Sequence, residues 1–200
     1  MFSPFYPVLV LLVVFLWGYF HSLTASLWAK EQARRKWGAA SRRYYRLIYN
    51  VISLITFLPV LALVVYLPDR FLYVVPSPWA VLMLLGQLLA LIALVAGILQ
   101  TDAWQFLGFR QLVSEKPDSP RLVVSGFYRC VRHPLYTAGL IFIWLQPEMT
   151  ANRLALNIGL SACLVVGALY EERKLIKEFG QAYQEYRERT PMLIPWRRPV

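Results

Sequence analysis

Three uncharged apolar runs, at 5–25, 47–67 and 79–100, constrain this chain more than anything else in it. Each supplies the roughly 20 residues that a helix needs to cross a hydrocarbon core about 30 Å thick. Two shorter runs follow, at 135–146 and 154–170, with Pro147 between them. The first of these is too short to cross alone, so the pair reads as a helical hairpin. The expectation is an all-α integral membrane protein with five membrane helices, the last two a hairpin, followed by a C-terminal interfacial amphipathic helix. No repeat and no Ser/Gly linker divides it, so 1–200 reads as a single domain.

Charge then orients it. Hydrophobic residues make up 58% of the chain and charged ones 16%, and the charges are clustered. Segment 30–46 holds seven basic residues against Glu31 alone, whereas Asp69 and Arg70 cancel in segment 68–78. Basic loops stay on the cytoplasmic side. The expected topology therefore has its N-terminus outside, with 30–46, 101–134 and the C-terminus in the cytoplasm. Thr24-Ala25-Ser26 resembles a signal-peptide cleavage site, but residues 1–7 lack the Lys or Arg of such a leader, so a retained span is expected. Topology and anionic membrane lipids account for the basic cluster, and nucleic acid is not an expected partner. Two histidines and two cysteines, scattered along the chain, give no metal-site spacing, and no metal is expected.

This topology places the unusual polar residues on one side of the membrane. His21-Ser22 end the first span, Asp102, Arg110 and Gln111 follow the third, and Arg132-His133 precede the fourth. Glu171-Glu172 close the fifth. Pro134 suits the first turn of a helix, which makes His133 its cap or the residue before it. Such a helix N-terminus suits a carboxylate or phosphate, and Arg132 adds charge. The plainer alternative is that Arg132 reaches to lipid headgroups and His133 only caps. After Glu171, the stripe Leu175, Ile176, Phe179, Tyr183 and Tyr186 suits an amphipathic helix, interrupted by Gly180 and ended by Pro191 and Pro195. Two acids at a helix C-terminus oppose its dipole, so a cationic partner is expected for Glu171-Glu172.

Two ordered motifs carry a resemblance. Gly126-x-Tyr128-x3-Arg132-His133-Pro134-x-Tyr136-x2-Gly139 is followed by Glu171-Glu172-x2-Leu175-x3-Phe179-Gly180-x2-Tyr183-x2-Tyr186. Together they resemble the isoprenylcysteine carboxyl methyltransferase superfamily, which includes phospholipid methyltransferases and methanethiol S-methyltransferases. Phe20-His21-Ser22, and Asp102-x3-Phe106-x-Gly108-x-Arg110-Gln111, are similar to the thiol-methylating and nurim-like branch. The resemblance implies S-adenosyl-L-methionine as cofactor, bound in the half from about 101 to 200. Leu122 and Val123 would contact it through backbone, and Tyr128, His133, Pro134, Leu135 and Tyr136 would line its pocket. Glu171 would lie near its amino-acid end or the reacting centre. In the carboxyl-methylating members an arginine stands four residues before the first glutamate, and here that position is Gly167.

The expected function is a membrane methyltransferase with its active site facing the cytoplasm and a small or lipophilic acceptor, foremost a thiol. A thiol must lose its proton first, and Glu171 and His21 are the two candidate bases. The alternatives are carboxyl methylation of a prenylated cysteine, N-methylation of a phospholipid, and an inactive nurim-like protein.

Overall fold

The structure, a computed structural model, describes residues 3–101, 103–113 and 121–196, with only the backbone of 105 and 106. Asp102, and the side chain of Phe106, lie outside the described residues. The chain divides into two compact units. The first is Met1–Val74, Ala103–Pro117 and Glu148–Cys163, and the second is Val75–Asp102, Asp118–Pro147 and Leu164–Val200.

The first unit is built on α1 (Phe5–Ala25), α2 (Leu27–Trp37) and α3 (Ala39–Tyr66), joined by the start of α8 (Ala151–Phe179). Its core is Val10, Val14, Val60, Ala155 and Leu156. Small residues let these helices approach: a Cβ at Gly159 would lie 2.6 Å from Val14 Cγ1, and one at Gly18 would strike Cys163 Sγ. Segment 30–46, read above as a loop, is helical. The Ser26 hydroxyl caps α2 by accepting from the Ala29 amide at 3.2 Å, and α3 begins at Ala39, before the apolar run. Two short helices, α5 (Ala103–Leu107) and α6 (Arg110–Val113), flank Gly108, which takes φ +95. A Cβ there would sit 2.7 Å from the Leu47 amide nitrogen, so this close approach requires glycine.

The all-helical expectation needs one correction. β1 (Phe71–Val74) and β2 (Glu148–Thr150) form an antiparallel ribbon, with Phe71 opposite Thr150 and Val74 opposite Glu148. The β-branched and aromatic run from Phe71 favours strand, and Glu148–Thr150 supplies a partner directly before α8. Asp69 Oδ1 accepts from the Asn152 amide at 3.1 Å, tying the ribbon to the first turn of α8.

In the second unit α4 (Trp79–Gln100) packs along α7 (Pro134–Trp144). Gly86 and Gly97 make room for Leu145 and Leu135, to which an added Cβ would come within 2.5 and 2.7 Å. The Gln87 amide nitrogen donates to the Phe142 carbonyl at 2.8 Å. The rest of α8 and α9 (Gln181–Arg189) complete the unit, separated by Gly180 at φ +57.

Among the described residues four helices, α1, α3, α4 and α8, are long and apolar enough to cross a membrane. The 11 residues of α7 extend only about 16 Å at 1.5 Å per residue, half the hydrocarbon thickness. A second correction concerns α8, whose 29 residues run unbroken to Phe179. Glu171 and Glu172 are thus mid-helix rather than at a helix end, and the dipole argument for their cationic partner fails. The polarity change at Glu171 does not stop a helix, because 171–179 are good helix formers with no Gly or Pro before Gly180.

Candidate active site

In the second unit the two motifs meet. Pro134 opens α7 at its first turn and His133 is the N-cap, as the spacing of Arg132-His133-Pro134 implies. The segment before it, a 3₁₀ turn at Gly126–Arg129, holds Tyr128. The C-terminal tail then wraps onto this cap. Arg132 and His133 amides donate to the carbonyls of Pro191 and Met192 at 2.9 and 3.1 Å, and the Thr137 hydroxyl donates to Leu193 at 2.8 Å.

The adjacent acids have opposite roles. Glu172 is buried, and its Oε1 accepts from Arg132 Nε at 2.5 Å and from the Tyr183 hydroxyl at 3.4 Å. Arg132 also donates through Nη1 to the carbonyls of Arg187 and Thr190. The reading of Arg132 as a charge offered to a ligand or to headgroups is therefore corrected: it is the cation that compensates a buried carboxylate. Burial, not the helix dipole, creates the demand. Glu171 instead leaves 46% of its side chain exposed. Its Oε2 accepts from the Tyr136 hydroxyl at 2.9 Å and lies 3.7 Å from His133 Nδ1.

His133 sits between the two acids. Its ring is buried and stacks on Tyr136 with centroids 5.4 Å apart and planes 8° from parallel. Nε2 lies 3.4 Å from Glu172 Oε1, without the alignment of a hydrogen bond. Burial pushes the imidazole below its ordinary pKa of 6.5, more than the nearby Glu171 and Glu172 carboxylates raise it. The ring is consequently neutral at pH 7. Burial, then the Glu171 carboxylate, lifts the Tyr128 hydroxyl to about 12, so it too stays neutral. The one open charge in this group is that of Glu171.

The remaining nominated residues divide. Leu122 and Val123 are half-buried in a stretch that is neither helix nor strand. Leu135 packs on Gly97, and Pro134 is buried at the wall of an apolar cavity of about 400 Å³ between α4 and α7. His21 belongs to the first unit, where Nδ1 meets Ser53 Oγ at 3.0 Å and Nε2 meets the Tyr49 hydroxyl at 2.7 Å. Arg110 and Gln111 open α6, also in that unit. Sequence reasoning missed the cavity wall on α4, since small residues within an apolar run carry no separate signal. It also missed the tail carbonyls, because a backbone acceptor is the same at every position.

The NnrU protein family profile covers residues 8–194. The chain belongs to the NnrU family. Among curated proteins it is similar to methanethiol S-methyltransferase 1 of Bradyrhizobium diazoefficiens, 40% identical over 89 residues, which is 44% of this chain and 31% of that protein. The methanethiol S-methyltransferase of Mycobacterium tuberculosis is 39% identical over 69 residues, 34% of this chain and 28% of that one. The human protein-S-isoprenylcysteine O-methyltransferase is 33% identical over 89 residues, 42% of this chain and 30% of that one. The matched stretch thus spans about a third of these relatives' length. No solved structure matches this NnrU-family chain.

Proposed function

We propose that this NnrU-family chain is an integral membrane methyltransferase that uses S-adenosyl-L-methionine and methylates a thiol. The carrying observation is Glu171, a half-exposed carboxylate held by Tyr136 and set beside a buried, neutral His133. The residues fit the proposed cofactor. Glu171 offers a negative charge for its ammonium or sulfonium, and Tyr136 and His133 present a stacked aromatic pair. Leu122, Val123, Tyr128, Pro134 and Leu135 would complete the pocket. When bound, the cofactor supplies an electrophilic methyl group on a cationic sulfur.

The chain's own residues would then act by position and charge. Tyr136 fixes the Glu171 carboxylate, and the Arg132–Glu172 pair fixes the cap that carries His133. Glu171 would take the proton of the acceptor thiol as its sulfur gains the methyl, while the electron pair of the broken donor bond stays on the donor sulfur. His21, the other candidate base, has both ring nitrogens engaged, which favours Glu171. Excluding water would speed the step, because opposite charges disappear in it.

Gly167 favours a thiol over a carboxylate acceptor. It lies one turn before Glu171, and a Cβ added there would reach the Tyr136 hydroxyl at 4.0 Å. An arginine at that position, as in the carboxyl-methylating relatives, would stand beside Glu171; glycine leaves no guanidinium to clamp a carboxylate. N-methylation of a phospholipid and an inactive nurim-like protein remain the other readings. We further propose one membrane domain over both units with five membrane helices, α7 and α8 forming a short hairpin, and α9 at the interface. In this topology the site faces the cytoplasm, in line with the basic 30–46 segment. In α8, about 20 residues cross the core, so Glu171 would come just past its edge.

Calorimetry with S-adenosylhomocysteine on the purified full chain tests the reading. Saturable binding, weakened by Glu171→Gln and His133→Ala in folded protein, supports it. No binding by the wild type leaves the inactive reading standing.

A further inference from the structure

The cavity between α4 and α7 has a chemistry that the cluster around Glu171 does not use. It follows α7 from Pro134 to Leu145, about 16 Å at the helical rise. Its wall is apolar, from Ala90, Ala93, Ala138 and their neighbours. Among the described lining residues, the two side chains with heteroatoms are Cys130 and Thr137. The Thr137 hydroxyl is committed to the His133 and Leu193 carbonyls, at 3.1 and 2.8 Å. Among the described residues no charged side chain lines the wall, which offers hydrocarbon surface rather than a partner for a carboxylate or phosphate. The lining residues Leu89 and Ile141 are 66% and 44% exposed, so the cavity is open at the flank of a helix long enough to span the bilayer.

We propose that this cavity holds the hydrocarbon tail of a lipophilic alkyl thiol, taken laterally from the bilayer with its sulfur at the His133 end. The proposal rests on the methyltransferase reading and deepens it. A volume of about 400 Å³ is far larger than a one-carbon thiol fills, and the length of the cavity suits an unbranched chain. Burying each further methylene in such a wall is favourable by about 0.8 kcal/mol relative to water, so affinity should climb with chain length until the cavity is full. A bulkier side chain at Ala93 or Ala138 should cut this climb short.

The test uses the full chain in lipid nanodiscs, with methanethiol, hexanethiol and decanethiol as acceptors. Ala93→Leu and Ala138→Leu narrow the cavity from opposite walls, and S-adenosylhomocysteine affinity reports that each variant is folded. In the wild type, kcat/KM should rise from methanethiol to decanethiol. Each variant should lower the decanethiol value at least tenfold more than the methanethiol value. An equal loss for both acceptors, no loss, or a wild-type preference for methanethiol overturns the proposal. Retention of radiolabelled decanethiol, measured without methyl donor, separates the two readings. Variant-sensitive retention without turnover keeps the cavity assignment and removes the methyltransferase. Turnover of long thiols that neither variant affects removes the cavity assignment alone. Equal retention of decane and decanethiol, with turnover unaffected, would assign the cavity to a bilayer acyl chain and overturn the proposal.

Discussion

The two histidines of this chain sit beside tyrosines in similar ways and in opposite electrostatic settings. His21, in the first unit, stacks on Trp17 at 5.0 Å and meets only the neutral hydroxyls of Ser53 and Tyr49. His133, in the second unit, stacks on Tyr136 and lies within 4 Å of two carboxylates, one buried and ion-paired, the other half-exposed. The first cluster is closed, each polar atom answered by a neutral partner between α1 and α3. In the second, Glu171 keeps exposed charge that its neighbours do not neutralise. A polar residue in a membrane helix is a functional candidate by default. Residual charge after local pairing, rather than polarity itself, makes Glu171 the stronger candidate of the two clusters.

The largest expected effect is on the pair that holds the charged cluster together. Arg132→Ala would leave Glu172 buried without its cation and release the carbonyls of Arg187 and Thr190. Breaking a buried pair by removing one partner costs about 3–5 kcal/mol. Thermal unfolding in detergent should show a large loss, and Arg132→Ala with Glu172→Gln should recover part of it. If the double variant is no better than the single one, Glu172 is not the reason Arg132 matters.

Glu171→Gln and His21→Phe sharpen the comparison directly. The first should weaken S-adenosylhomocysteine binding tenfold or more, about 1.4 kcal/mol, with little change in melting temperature. The second should do the reverse, lowering stability by roughly 1–3 kcal/mol through the stranded Tyr49 and Ser53 hydroxyls, with binding retained. Calorimetry and thermal melts on both variants measure this. Loss of binding in His21→Phe, in folded protein, would bring the first cluster into the active site.

A smaller effect is expected at the turn that carries Tyr128. The Tyr186 hydroxyl donates to the Tyr128 carbonyl at 2.5 Å, so Tyr186→Phe removes one neutral hydrogen bond, worth about 1 kcal/mol. Its melting temperature should fall slightly and its cofactor affinity less than in Glu171→Gln.

How far these clusters could be read in advance differs by element. Apolar runs ended where α1 and α4 end, and Pro134 placed the cap, because hydropathy and proline act locally. The Arg132-His133 and Glu171-Glu172 motifs stood out in the sequence and lie together in the fold, yet they did not say which acid would be buried. That depends on Tyr183 and on the tail that folds over Arg132, neither of which leaves a periodic trace. The continuity of α8 was hidden for a related reason. Its side chains change from apolar to polar near Glu171, while helical geometry is indifferent to that change. The basic 30–46 stretch was legible as a charge asymmetry and opaque as two helices.

The smallest expected effect is the response of His133 to acidification. Burial holds His133 below 6.5, against the raising effect of Glu171 and Glu172 and with Arg132 reinforcing the depression. As pH falls through 6.5, the unfolded chain takes up this proton before the folded one does. The unfolded state then binds more protons, so stability declines with falling pH, by at most about 1.4 kcal/mol per unit for one group. Above 6.5 this contribution is constant; between 6.5 and the lower folded-state value it is lost. Melting temperature should therefore be flat from pH 8 to 7 and fall below 6.5, and His133→Gln should shrink the fall. Glu171→Gln removes a charge that favours the imidazolium, so it should depress His133 further and extend the decline to lower pH. A shift in the other direction would mean that Glu171 is not the carboxylate His133 senses.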